Sequence, residues 1–242
     1  MIEIDGERIR TFKSNTRAEY DRYSQVRKIV SSGLVQLHEP LEFVQIGSRF
    51  HIPIEVLIES HNGPNVAPNI VGLGQSIAIG EMNYLLKQLQ LFVSNRDRIE
   101  EISFDSLLKL LTTYNLEPRS VLIPLDFYSA LHLGKFGNLF VDYSNYDPYL
   151  ALGWSRIPIY WSNNYVPFDE FIFVGNELGH WVVKPDPNDG HALTIDVQGI
   201  RDGKVDVIIK TVACFAHGNS KSGLVVDVHS PKKELTSARN AD

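Results

Sequence analysis

Apolar residues fall at helical spacing early in the chain and at strand spacing later. Near the N-terminus, Ile2, Ile4 and Ile9 alternate with charges around Asp5-Gly6, a pattern that predicts a short hairpin. A helix is predicted over 16–30. Thr16 stands at the cap and Glu19 three residues on, and Tyr20, Tyr23 and Val26 form a thin aromatic stripe. Such a stripe serves either the chain's own core or a neighbouring copy. From Leu41 to Ile58 the pattern turns extended, with Phe50, Ile52, Ile54 and Val56 at period two. Gly47-Ser48 reads there as a turn or bulge, and Pro53 marks the run as an edge strand.

The longest helix is predicted over 69–92, capped by Asn69 and faced by Leu73, Ile77, Leu85, Leu89 and Phe92. A second helix runs from Ser103 to Tyr114, with Ser103 as cap and Phe104, Leu107, Leu108 and Leu111 as its apolar face. Pro118 closes it, because the residue before a proline avoids helical angles. Short strands then dominate: 120–124, 157–161, 171–175, 180–184, 191–197 and 204–216, with one helical run over 126–132. Helices first and strands afterwards, without regular alternation, make an α+β chain. The tail from Pro231 is small and polar and reads as disordered.

The chain's 242 residues suffice for a sizeable core, and the net charge of −6 argues against a dedicated nucleic-acid binder. Cys214 is the one cysteine and lies among apolar residues, so no internal disulfide forms and a reducing, cytosolic setting is expected. No apolar stretch is long enough to span a bilayer, and the N-terminus has no signal-like run.

Candidate chemistry is sparse. Gly72-Leu-Gly74 starts like a dinucleotide loop, but Ile77 stands where the third glycine belongs and no strand leads in. Asn176-Glu-Leu-Gly-His180 lacks the second histidine of a zinc helix, and residues 186–190 have the wrong spacing for a calcium loop. His51, His61, His132, His180, His191 and His217 are scattered. Glu81 lies in the middle of the long helix's apolar face, where a charge needs a partner. Two readings follow: a structural network with an arginine or backbone donors, or a buried catalytic carboxylate. Trp154, Trp161 and Trp181, with five tyrosines, crowd residues 143–181, which serves a β-rich core or a protein–protein surface.

The order of these elements, with Val121-Leu-Ile-Pro124, the Leu152-Gly-Trp-Ser-Arg-Ile-Pro-Ile159 element, Phe171–Gly175 and the closing Ile208–Phe215 strand, resembles the shell proteins of tailed phages and encapsulin nanocompartments. The resemblance covers roughly residues 41–228. It implies a phage-capsid-like fold with four parts: an N-terminal arm (1–40), a peripheral domain on the ribbon and long helix (41–95), a β-rich axial domain (96–230) and a tail (231–242). It further implies a non-enzymatic protein that assembles with itself into a closed shell around protein cargo or a genome. Such a protein has no catalytic, cofactor or metal site and no membrane partner, and resides in the cytoplasm or a virion. Two alternatives stand beside it: a small enzyme using Glu81 or clustered histidines, and a monomeric protein-binding module built on the aromatic stretch.

Overall fold

The computed structural model describes residues 6–31, 40–55, 72–100, 102–125, 127, 140–141, 149–152, 155–162 and 170–228. Two helices open it, α1 (Gly6–Tyr23) and α2 (Val26–Ile29), followed by strand β1 (Val44–Pro53), the long helix α3 (Leu73–Phe92), β2 (Asn95–Ile99) and α4 (Phe104–Thr113). Strands complete the chain: β3 (Pro118–Pro124), β4 (Phe140–Val141), β5 (Tyr149–Leu152), β6 (Ser155–Ser162), β7 (Glu170–Gly175), β8 (Gly179–Lys184), β9 (Leu193–Arg201), β10 (Lys204–His217) and β11 (Gly223–Val228).

The described residues form two sheets. A four-stranded sheet has β10 at its centre, antiparallel to β1 and β9 and beside β8. A seven-stranded mixed sheet runs β2-β11-β7-β3-β6-β5-β4, with β2 parallel to β11 and β3 parallel to β6. The chain divides into two compact units. The first takes residues 1–25, 36–82 and 181–214; the second takes 26–35, 83–180 and 215–242.

In the first unit Phe12 and Tyr20 of α1 pack with Ile77 and Ala78 of α3 and with Leu193, Ile195, Val205, Val207 and Ile209 of the β9–β10 hairpin. This packing explains why the chain from Gly6 onward is helical where the second half of a hairpin was expected; residues 1–5 lie outside the described residues. Phe12, Thr16 and Tyr20 recur every four residues, which is one face of a helix, and all three are buried. Thr16 is therefore mid-helix and caps nothing. Glu19 also has another role, since its Oε2 accepts the backbone N–H of Gly74 at 3.1 Å. The helix breaks at Ser24-Gln25, earlier than the expected end at Val30, and α2 resumes in the second unit.

β1 is a continuous strand. Each residue from Val44 to Pro53 pairs in unbroken register with Ala213 down to Lys204, so Gly47-Ser48 makes neither turn nor bulge. Among the described residues β1 lies at the edge of its sheet, with Pro53 at its end, as the proline implied. β9 and β10 are joined by Asp202-Gly203, both at positive φ (51° and 72°), the geometry of a tight hairpin turn.

The second unit is built on the other core. Ile99, Leu107, Leu111, Val121, Ile123, Phe127, Ile157, Ile159, Phe171, Phe173, Leu224 and Val226 are buried together. α4 starts as expected at a capping box, with Ser103 Oγ accepting from Ser106 N and Ser106 Oγ accepting from Ser103 N. Its buried face is turned from the expected one. Leu107 and Leu111 are buried with Leu110 and Tyr114 packed beside them, and Phe104 and Leu108 are exposed. α2 is fastened to β3 by a buried hydrogen bond from Ser120 Oγ to the Ile29 carbonyl at 3.0 Å. The expected loop at 60–65, the cap Asn69, the helix over 126–132 beyond Phe127, the turn at 163–164 and the tail from Pro231 lie outside the described residues.

Candidate functional site

Two kinds of site were legible as possibilities: a buried carboxylate with histidines, and a set of adhesive surfaces. Glu81 sits one helical turn beyond Ile77 on the apolar face of α3 and is fully buried. A charge there is tolerable only if both oxygens are hydrogen-bonded. Tyr20 Oη donates to Oε1 at 2.7 Å and Ser24 Oγ donates to Oε2 at 3.0 Å. Both of these donors are hydroxyls, one from the last turn of α1 and one from the residue just beyond it. Gly74 makes this approach possible. A β-carbon there would collide with the Thr16 carbonyl and come within 2.6 Å of Tyr20 N. Glu81 thus joins two helices of the first unit and is fully buried between them.

The histidines do not gather around Glu81. His51 is exposed on β1, with Nδ1 3.7 Å from Asp206. His217 is stacked on Phe92 at 4.2 Å between ring centres. His180 forms an isolated bridge with Ser31, and His61 and His132 lie outside the described residues. His191 comes nearest, its ring edge-on to Tyr20 at 6.2 Å. It accepts the Leu193 N–H at Nδ1 (3.0 Å) and faces Asp21 through Nε2 (3.1 Å), so it is held as a tie between α1 and the start of β9. Arg17 reinforces that tie through Asp186 (3.7 Å), Asp189 (2.5 Å) and the Leu193 carbonyl (3.3 Å). The backbone N–H of His191, followed by the Arg17 guanidinium, holds the Asp189 carboxyl below its ordinary range. Among the described residues no group of three or more His, Cys, Asp or Glu side chains could hold a metal ion. No helix there is long and apolar enough to cross a membrane.

The adhesive surfaces divide differently from the expectation. Tyr20 and Val26 are buried, so the N-terminal stripe serves the chain's own packing, and only Tyr23 is exposed, under the Arg22 guanidinium. In the aromatic stretch Trp181 is buried, Trp161 packs on the second core, and Tyr149 lies under Arg156 at 4.7 Å. Trp154, Tyr143, Tyr146 and Tyr165 lie outside the described residues. Among the described residues surface is offered by the edge strand β1, as the ribbon pattern implied, and by the exposed apolar side chains Phe43, Leu91, Phe104, Leu108 and Ile200.

No family model matches the chain, and no curated protein matches it. Solved structures do. A virus-like particle from Pyrococcus furiosus superposes with a TM-score of 0.57 at 12% identity, over 90% of this chain and 98% of the other. This chain has the phage-capsid fold. A phage-related protein from Bordetella bronchiseptica shares it with a TM-score of 0.56 at 8% identity, over 88% and 96% of the two chains. The SrpI encapsulin of Synechococcus elongatus shares it with a TM-score of 0.50 at 13% identity, over 79% and 76%. At these identities the likeness is one of fold. The capsid fold accounts for the α+β order of elements and covers both compact units.

Proposed function

We propose that this chain is a shell protein, copies of which assemble through heterologous contacts into a closed capsid or nanocompartment. The observation that carries the reading is the end-to-end match, over 90% of this chain and 98% of the other, to the subunit of a virus-like particle. The geometry of Glu81 supports a structural rather than a catalytic role for the one charged side chain on the long helix's apolar face. Its contents would be protein cargo or a genome, and its place the cytoplasm or a virion. The accompanying domain assignment takes residues 1–40 as the arm, 41–95 as the peripheral part and 96–230 as the axial part. The packing of residues 181–214 within the first unit would move the β8–β10 excursion to the peripheral side. Electron micrographs and light scattering of the purified protein test the reading. Closed particles of uniform size are expected, and a monomer at high concentration in several salts would overturn it.

A further inference from the structure

The chain contains three Asp-Gly pairs: Asp5-Gly6, Asp189-Gly190 and Asp202-Gly203. Such a pair can react with itself, because glycine has no side chain to shield its backbone nitrogen from the preceding carboxyl. Asp5 lies outside the described residues, and the other two pairs stand in opposite states. Asp202-Gly203 forms the tip of the β9–β10 hairpin, where the Asp202 side chain is 92% exposed and the Arg201 guanidinium comes no nearer than 3.9 Å. Among the described residues no hydrogen bond engages the Asp202 carbonyl or the Gly203 N–H, so the peptide group between them rotates without breaking one. At Asp189-Gly190 both reacting groups are held. The Gly190 N–H donates to the Asp186 carbonyl at 2.8 Å. Asp189 Oδ1 accepts the His191 N–H at 3.1 Å, and Oδ2 pairs with Arg17 at 2.5 Å. We propose that Asp202-Gly203 is a site of spontaneous covalent modification, where the chain rearranges through a succinimide to isoaspartate, and that the bonds around Asp189-Gly190 protect it from the same reaction.

The Gly203 nitrogen attacks Asp202 Cγ. A C–N bond forms, a Cγ–O bond breaks, and the amide hydrogen leaves with the hydroxyl as water. Water then opens the five-membered ring at either carbonyl. Opening at Cγ restores aspartate; opening at the main-chain carbonyl leaves the chain running through Cβ and Cγ as isoaspartate. Mass and oxidation state are unchanged overall, and water is the one co-reactant. The reaction needs a nitrogen that can reach Cγ and a carboxyl in its neutral form, since a carboxylate resists nucleophiles. At Asp189 both needs are opposed, because the His191 N–H, with Arg17 behind it, also favours the ionised carboxylate. The consequence at Asp202 is local. Isoaspartate adds a backbone carbon to a two-residue turn between the paired residues Arg201 and Lys204. The turn then no longer fits that register, nor the bond from the Ile54 N–H to the Gly203 carbonyl. This inference stands independently of the shell reading.

The test ages the full chain in mildly acidic buffer, native and in urea. Electron-transfer fragmentation of the peptides across the two pairs then distinguishes isoaspartate from aspartate, which have equal mass. In the native protein isoaspartate is expected to accumulate at Asp202 roughly ten-fold or more faster than at Asp189, where two hydrogen bonds and an ion pair must break first. In urea, with those bonds gone, the two pairs are expected to react at like rates. Asp202→Asn gives a second readout. Asparagine tolerates the positive φ of 51° at this position, and it closes the same ring with loss of ammonia, so its hydrolysis product is heavier than the starting chain. That variant is expected to deamidate at position 202 nearly as fast in the native state as in urea. Equal isoaspartate at Asp202 and Asp189 in the native protein would overturn the proposal. So would an absence of product at Asp202 in the native protein, or an Asp202→Asn variant that deamidates there in urea alone.

Discussion

Tyr20 donates its phenolic hydrogen to the Glu81 carboxylate at 2.7 Å, joining the first helix to the long helix across 61 residues of sequence. With the Ser24 hydroxyl on the other oxygen, it makes a fully buried charge tolerable in an apolar core. Glu81→Gln replaces an acceptor of two hydroxyls by an amide with a competing donor. A loss of about 1–3 kcal/mol is expected, from the usual cost of an unsatisfied buried group. Tyr20→Phe should cost a similar amount, and the double variant less than the sum, because the two share one bond. Urea unfolding of the four proteins measures this; strict additivity would mean that the bond contributes nothing.

Gly74→Ala should destabilise the chain although alanine is the better helix former by about 1 kcal/mol. The added methyl meets backbone at Thr16 and Tyr20, which cannot step aside as a flexible side chain would. A net loss of about 1–3 kcal/mol is expected. An unchanged or raised melting temperature would show that α1 does not sit against α3 at this distance.

Removing residues 1–31 should unfold the protein rather than merely disperse an assembly. Phe12 and Tyr20 are buried in the first core, and Val26 and Ile29 are buried in the second unit. Loss of a single such aromatic typically costs about 3–5 kcal/mol, a large share of a domain's stability. Circular dichroism of the truncated chain decides the point, and a cooperative native-like melt would contradict the packing described.

The Asp206 carboxyl is held below its ordinary range chiefly by the hydrogen bonds from Arg49, at 2.7 and 3.0 Å from Nε, with the guanidinium charge adding to them. A carboxyl whose folded-state pKa is depressed contributes stability that is full above the unfolded value of about 3.9 and is lost as pH falls through the lower folded value. Arg49→Ala should return the Asp206 titration toward the ordinary range and remove that acid dependence, with little effect at pH 7 because the pair lies at the surface. Carboxyl-carbon NMR titration of both proteins would expose an error if Asp206 titrated alike in each.

Cys214 is buried in β10, and burial pushes its thiol above the ordinary range. Labelling by a thiol reagent at pH 8 should be at least a hundred-fold slower in the native protein than in urea, since the thiolate is the reacting species. Rapid native labelling would place this end of β10 in solvent.

Local chemistry and periodicity by themselves determined much of this protein. The strand period from residue 118 onward, the Ser103 cap and the apolar face of the long helix each depend on near neighbours, and each element stands close to where the pattern put it. The need of Glu81 for partners was likewise legible, because burial of that face makes an unpaired charge untenable. The order of the elements already resembled a phage or encapsulin shell protein, and the capsid fold followed it.

Tertiary structure alone decided the rest. The α1 helix starts at Gly6 because Phe12, Thr16 and Tyr20 find a core made of β9, β10 and α3, and nothing within the N-terminal residues announces those distant partners. β2, Asn-Arg-Asp-Arg-Ile, is too polar to read as a strand and exists because β11 offers it a parallel edge. Asp202-Gly203 is a hairpin turn legible by its composition, since both residues sit at positive φ. The identity of Glu81's donors and the outward turn of Phe104 and Leu108 depend on which elements lie against each helix. Periodicity names an apolar face; only packing settles which part of it is covered and which is left for another molecule.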